Sequence, residues 1–295
     1  MTSKWTTADI PDQTGRTFVI TGANAGLGLQ STRALTGAGA RVLMACRDTS
    51  RAEAARAGLP HPERAEVVEL DLADLDSVRS AGQVLAGHRP DVLINNAGLM
   101  NIPAARTAQG HEMQFGVNVL GHFALTEQLV PVLTDRVVWL GSMMHKTGTV
   151  DPEDLDWTRR KYAAMPVYAA TKLECIMLAY EQQRRFDAAG SQLKAVAAHP
   201  GYSATNLQYR SGSRVQDLMM RVAEKVPFLV QPAERGALPQ LYAATVASVP
   251  GGAYVGPDGF GELSGHPKIV ESNRASHDRA VAAALWERCA EMTAS

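Results

Sequence analysis

The stretch that most narrows what this chain can fold into lies near its start. An apolar, β-branched run from Thr17 to Thr21 leads into Gly22-Ala-Asn24-Ala-Gly26-Leu27-Gly28, and a helical pattern through Leu29, Leu35 and Ala38 then stops at Gly37 or Gly39. In the order strand, glycine turn, helix, the backbone can turn tightly and offer the N–H groups at the helix's positive end to a pyrophosphate. A second strand, Arg41 to Cys46, follows after a very short connection. Parallel strands need a crossover, and such crossovers are right-handed, so the chain opens on a βαβ unit.

The same alternation continues. The pattern predicts a strand at Ala65 to Leu70, a helix from about Leu75 to Leu85, a strand at Val92 to Asn95 and a helix from about Ala108 to Leu133. It then predicts a strand at Arg136 to Leu140, a long helix over Pro166 to Gly190 and a strand at Leu193 to Ala198. Strands alternating with helices imply an α/β fold of the Rossmann type, a doubly wound parallel sheet covered by helices on both faces. In such sheets ligands bind outside the carboxyl ends of the strands, where the strand order reverses. The 295 residues carry no repeat, low-complexity tract or linker of domain-boundary length, and they are expected to form one domain over 1–295.

Composition removes several classes of function. With 29 basic and 30 acidic side chains, net charge −1 and no run of like charge, nothing favours nucleic acid or an anionic membrane. No window approaches the roughly 18 apolar residues of a membrane span, and the N-terminus has no apolar core of signal-peptide length. The expectation is a cytoplasmic protein without a membrane anchor. Cys46, Cys175 and Cys289 match no metal-site or disulfide spacing and read as reduced packing residues, so no metal is expected.

Candidate chemistry falls at the strand ends. Tyr168 and Lys172 stand one turn apart near the start of the long helix, with Pro166 suited to its first turn and Gly190 to its stop. Residues four apart share a helix face, so the ammonium can approach the phenol. A free phenol titrates near about 10, and a nearby positive charge favours the phenolate. After the second strand, where an acidic residue would hold an NAD ribose and an Arg would accept the extra phosphate of NADP, stand Cys46 and Arg47, with Asp48 one residue further on. This favours NADP over NAD; the alternative is a solvated loop cation. Asp71, after the third strand, is placed to bond an adenine edge, and Asn95-Asn96-Ala97-Gly98 puts small residues where the backbone passes close to a ligand. Both also read as turn chemistry. Asn118 sits within a predicted helix, where its propensity is indifferent and a reason is invited. Ser142 follows the strand Val137 to Leu140 and can bond a substrate oxygen. His145 is close by, but Ser142 sits in no Gly-x-Ser-x-Gly elbow, which argues against a Ser-His nucleophile.

Taken together, Thr21-Gly22-x-x-x-Gly26-x-Gly28, Asn95-Asn96-Ala97-Gly98, Asn118, Ser142, Tyr168-x-x-x-Lys172 and Pro200-Gly201 resemble the short-chain dehydrogenase/reductase superfamily over about residues 14 to 260. Ala-Cys-Arg-Asp at 45 to 48, the segment Asp154-Leu-Asp-Trp to Tyr162 and the tail Tyr254-Val-Gly-Pro-Asp-Gly-Phe are similar to its retinol dehydrogenase and protochlorophyllide reductase-like group. The resemblance implies Tyr168 as general acid or base, Lys172 lowering the phenol's pKa and holding the nicotinamide ribose, Ser142 orienting the carbonyl, and Asn118 anchoring a water that links Lys172 to solvent. It implies cofactor contacts from Gly22, Asn24, Gly26, Leu27, Gly28 and Arg47. Asp71, Leu72 and Asn96 would contact the adenosine, with Ala97 and Gly98 beside them, while Pro200, Gly201 and Thr205 would border the nicotinamide.

The sequence also departs from that group. Its membrane-bound retinoid enzymes carry an N-terminal anchor that is absent here, which points away from a retinoid. The segment 203–231, where the superfamily places a variable substrate lid, carries Leu207, Tyr209, Leu218, Met219, Met220 and Phe228. Adaptable Met side chains suit a lipophilic substrate, and the same stripe reads equally as packing on the body of the protein. The expected function is NADP(H)-dependent interconversion of a carbonyl and an alcohol on a small to medium lipophilic molecule. Reduction of a conjugated C=C bond and a non-catalytic NADP(H) sensor are the alternatives. Relatives of this kind pack as homodimers or homotetramers through their long helices, and the amphipathic stretch His277 to Met292 reads either as core cover or as interface.

Overall fold

The structure is a computed structural model and describes residues 4–202 and 231–294. In chain order the strands are β1 (Thr17–Thr21), β2 (Arg41–Cys46), β3 (Ala65–Glu69), β4 (Val92–Asn95), β5 (Arg136–Leu140), β6 (Lys194–Ala198), β7 (Tyr254–Pro257) and β8 (Pro267–Ile269). They form one sheet in the order β3-β2-β1-β4-β5-β6-β7-β8, parallel throughout except for the antiparallel edge strand β8. The doubly wound α/β fold expected from the alternation is present. The antiparallel β7–β8 hairpin at its far edge is a departure from the purely parallel sheet.

Along each strand successive side chains point to opposite faces. On β5, Val137 and Trp139 belong to one core and Val138 and Leu140 to the other. On β1, Val19 faces the first core, and Phe18 and Ile20 the second. Both faces are therefore buried, which is why these strands read as unbroken apolar runs. Helices α1 (Gly26–Gly37), α2 (Thr49–Ala57) and α6 (Leu238–Thr245) contribute to one layer. Helices α3 (Leu75–Gly87), α4 (Gly121–Leu129), α5 (Ala164–Ala188) and α7 (Arg279–Thr293) contribute to the other.

One predicted helix needs correction. In place of a continuous Ala108–Leu133 helix, residues 107–112 form a turn with Gly110 at φ +86 and a bridge between Arg106 and Glu112. The helical run begins at Met113–Phe115, capped by Glu112, whose carboxylate accepts the Phe115 N–H at 2.6 Å. It continues as a π-helical stretch, Gly116–Leu120, and then α4. Its end falls just before Pro131: Val130 is still helical and donates to the Thr126 carbonyl at 2.9 Å, but the proline has no N–H to continue the ladder. Helix α5 starts with Pro166 in its first turn and is followed by Gly190 at φ +64, as its sequence implies.

The fold puts the carboxyl ends of β1 and β4 side by side at the point where strand order reverses, with those of β5 and β6 next along the sheet.

Candidate active site

Thr21 closes β1 and ties the two central strands together. Its hydroxyl oxygen accepts the N–H groups of Asn96 at 2.9 Å and Ala97 at 3.0 Å, and the Asn96 side-chain amide donates to the Thr21 carbonyl at 2.8 Å. Asn96 thus braces the strand ends. Above this brace runs the glycine turn. Gly22 has φ +66, and a Cβ on it would lie 3.1 Å from Ala97; a Cβ on Gly28 would come within 2.4 Å of the Gly22 carbonyl. The turn can fold onto the start of α1 only because these positions have no side chain.

In front of this turn lies a cavity of about 200 Å³. Of the residues implied by the sequence, Gly22, Asn24, Arg47, Asp71, Leu72, Ala97 and Gly98 line it. Gly26, Leu27, Gly28 and Asn96 are not among its lining residues. Arg51, which sequence reasoning missed, lines the same cavity. Its signal was legible: Asp48 caps α2 by accepting the Arg51 N–H at 2.9 Å, which places Arg51 one turn beyond Arg47. Both arginines are exposed. The Asp71 carboxylate accepts the Ala73 N–H at 2.9 Å, so it shapes its own turn at the cavity wall.

The second group of residues gathers at the ends of β4 and β5. Lys172 Nζ donates to the Leu140 carbonyl at 2.9 Å and lies 5.8 Å from the centre of the Tyr168 ring. Both side chains are buried, 5% and 7% exposed. A Cβ on Gly98 would lie 3.7 Å from Lys172 Nζ and 3.2 Å from Asn118 Oδ1, so the strand end passes directly over the lysine. The Asn118 amide is fully engaged: Oδ1 accepts the Leu99 N–H at 2.7 Å, and Nδ2 donates to the Leu99 carbonyl at 2.9 Å and to Thr171 Oγ1 at 3.0 Å. It acts as an extra piece of backbone, holding the chain after β4 against α5. The π-helical stretch also leaves its carbonyl in use by side chains, those of His122 at 3.1 Å and Cys175 at 3.3 Å.

His122 is the other residue the sequence reading missed. Its Nδ1–H donates to the Asn118 carbonyl, which leaves Nε2 as acceptor for the Thr21 hydroxyl at 2.8 Å. Burial pushes the ring's pKa down to about 3, so it is neutral. The chain Thr21–His122–Asn118 thereby couples the glycine turn to the Lys172 helix. Its signal was a His four residues after Asn118, on the same helix face.

Ser142 caps the short 3-10 turn Met143–Thr147, its Oγ accepting the Met144 N–H at 3.2 Å, and it is partly exposed. His145 bonds the Ser142 carbonyl at 2.6 Å, not its hydroxyl, and no Ser-His nucleophile is assembled. Pro200 and Gly201 follow β6, which pairs with β5, so they stand beside the Ser142 segment; the Gly141 N–H donates to the Ala198 carbonyl at 2.8 Å. Thr205 and nearly all of segment 203–231 lie outside the described residues. Cys46, Cys175 and Cys289 are buried, unpaired thiols; burial pushes Cys46 and Cys175 up to about 11.

Comparisons with known proteins identify the family. The family model for short chain dehydrogenases matches residues 16–216. Human retinol dehydrogenase 13 is 34% identical over 293 residues, covering 94% of this chain and 84% of that protein. The crystal structure of an uncharacterized Mycobacterium paratuberculosis protein superposes with a TM-score of 0.85 at 44% identity, over 99% of this chain and 98% of the other. A Burkholderia cenocepacia short chain dehydrogenase solved in complex with NADP shares the fold, with a TM-score of 0.64 at 23% identity over 82% of this chain and 96% of that one.

Proposed function

Since the chain belongs to the short-chain dehydrogenase family and is an oxidoreductase, we propose that it interconverts a carbonyl and an alcohol on a small to medium lipophilic molecule with NADP(H). The observation that carries this reading is the pairing of a cavity at the switch point, bordered by two exposed guanidiniums, with a buried Tyr168–Lys172 pair at the next strand ends along the sheet. The glycine turn fits a dinucleotide, since a Cβ at Gly22 or Gly28 would meet backbone or small side chains that leave no slack. When bound, the nicotinamide would supply or take the hydride.

The chain's own residues would do the rest. Arg47 and Arg51 would hold the ribose phosphate that distinguishes NADP from NAD by charge-assisted hydrogen bonds. Tyr168 would protonate the carbonyl oxygen as hydride arrives, or take that proton in the oxidative direction. Lys172, fixed by the Leu140 carbonyl, sets its Nζ 5.8 Å from the centre of the Tyr168 ring and has donors to spare for ribose hydroxyls. The partly exposed Ser142 hydroxyl would orient the carbonyl. Asn118 holds the backbone over Lys172, so its contribution is to place that lysine.

The test is loss of NADPH absorbance with a panel of aromatic and aliphatic ketones and aldehydes, repeated with NADH, followed by product analysis. Turnover with preference for NADPH and an alcohol product is expected. A saturated carbonyl product from an enone would move the reading to C=C reduction, and tight NADPH binding without turnover would move it to a sensor.

A further inference from the structure

Away from the residues assigned above, a tightly constrained junction among the described residues lies where His199, Lys146 and Glu262 meet. His199 follows β6, directly before Pro200 and Gly201, and its ring is buried. Its Nδ1 accepts the Gly201 N–H at 3.3 Å, and Nε2 lies 2.9 Å from Glu262 Oε2. With Nδ1 an acceptor, the proton is on Nε2, which donates to the carboxylate. Burial lowers the imidazole's pKa, and the hydrogen bond from His199 lowers that of Glu262, so the pair is a neutral ring and a carboxylate at neutral pH. The other Glu262 oxygen stands 3.7 Å from Lys146 Nζ, on the 3-10 turn that Ser142 caps.

Several positions are shaped for this contact. The ring has room only because β7 carries Gly256, where a Cβ would approach within 2.1 Å of His199 Nε2. Gly201 has φ +66, and a Cβ there would come within 2.4 Å of the Leu263 carbonyl. Glu262 itself holds φ +60, directly after Gly261 at φ +58, a backbone region that L side chains rarely adopt and that persists where the surroundings enforce it. On the far side the turn is braced again: the Tyr202 N–H donates to the Leu263 carbonyl at 2.8 Å, and Gln231 donates to the Tyr202 carbonyl at 2.9 Å and to the Pro200 carbonyl at 2.5 Å.

We propose that Glu262 is a positioning residue for the reacting end of the site. Through His199 it fixes the turn Pro200–Gly201–Tyr202, and through Lys146 it fixes that turn against the segment carrying Ser142. The distance between these two segments, which leave the neighbouring strands β5 and β6 at their carboxyl ends, is thereby set. This rests on the hydride-transfer reading above, because the turn matters to turnover only if a nicotinamide stands against it.

The test compares Glu262→Gly with Glu262→Gln. Glycine removes the carboxylate where it also relieves the backbone, so the fold is kept; glutamine keeps an oxygen for His199. Three quantities are read: the thermal midpoint, the affinity for NADPH alone with the emission of its bound nicotinamide, and kcat on an aldehyde that the wild type reduces. For Glu262→Gly the midpoint should be unchanged or raised and the NADPH affinity should stay within about 3-fold, because the phosphate-binding cavity is elsewhere. Its kcat should fall about 10- to 100-fold, the size expected of a misplaced reacting group, with altered nicotinamide emission. Glu262→Gln should keep kcat within about 3-fold of wild type, since it preserves the orienting contact. A Glu262→Gly enzyme with wild-type kcat and emission would overturn the proposal, as would a kcat that falls only in step with a lower midpoint. A wild type that fails to bind NADPH would overturn the cofactor reading and this proposal with it, whereas a binding wild type matched by Glu262→Gly overturns this proposal alone.

Discussion

Tyr168 and Lys172 stand one turn apart on one helix, and the Lys172 ammonium is fixed from another element, by the carbonyl that ends β5. Arg47 and Arg51 show the opposite arrangement, two exposed cations on one loop and helix start whose positions depend on the Asp48 cap. Replacing either by Ser should raise the KM for NADPH by about 10- to 100-fold, the worth of a hydrogen bond to a charged group, and leave that for NADH nearly unchanged. Steady-state kinetics with both cofactors checks this. A residue unconnected with cofactor supplies a second prediction. Glu174 lies on α5 two residues after Lys172, is 3% exposed, and its Oε2 has no partner among the described residues. Burial raises its carboxyl to about 8, above the ordinary value of 4.5. In the folded chain it is therefore protonated at pH values where the unfolded chain is ionised, so the unfolded state gains and stability falls as pH rises from about 4.5 towards 8. Glu174→Gln should remove that slope: relative to wild type, the variant gains on the order of 2–4 kcal/mol between pH 5 and pH 8 in denaturant titrations.

At the scale of elements, the glycine turn was fully legible, because only glycine permits the approach of Gly28 to the Gly22 carbonyl, and a strand before and a helix after left one reading. The run from Ala108 to Leu133 was less so. Hydrophobic periodicity cannot distinguish a helix that starts at Ala108 from one that starts at Met113 behind a glycine turn, and nothing in it signals the π-helical stretch at Gly116–Leu120. That stretch is where Asn118 acquires its partners and offers its carbonyl to His122, so the one helix that was misjudged is also the one whose second buried polar residue was missed. For α7 the core-cover reading of the C-terminal stretch holds: Trp286 packs edge-on against Phe123 of α4 at 4.9 Å, and the Arg185 guanidinium of α5 lies 4.6 Å above its ring. The helix covers the core in its own chain. Trp286→Ala should cost about 3–5 kcal/mol, a large part of a typical domain's stability, and lower the thermal midpoint accordingly.

At the scale of the whole molecule, sheet order and the switch point follow from the alternation of strands and helices with a parallel neighbour for each, and the sequence carries that alternation through β6. It is silent beyond β6 because β7 and β8 are short, contain Gly256 and two prolines, and read as loop. Their hairpin proves to matter, since it brings Glu262 to His199 beside the proposed reacting end. Among the described residues no helix is long and apolar enough to cross a membrane. The central claim is that a sheet of this order brings a nucleotide cavity and a proton-transferring tyrosine to one edge so that they act together. It is tested most directly by Tyr168→Phe, which deletes one oxygen from a buried ring and leaves the cavity untouched. NADPH affinity should remain within about 3-fold of wild type while carbonyl reduction falls by about 10²- to 10⁴-fold, the contribution of a positioned acid. A Tyr168→Phe enzyme that still reduces carbonyls at the wild-type rate would contradict the account.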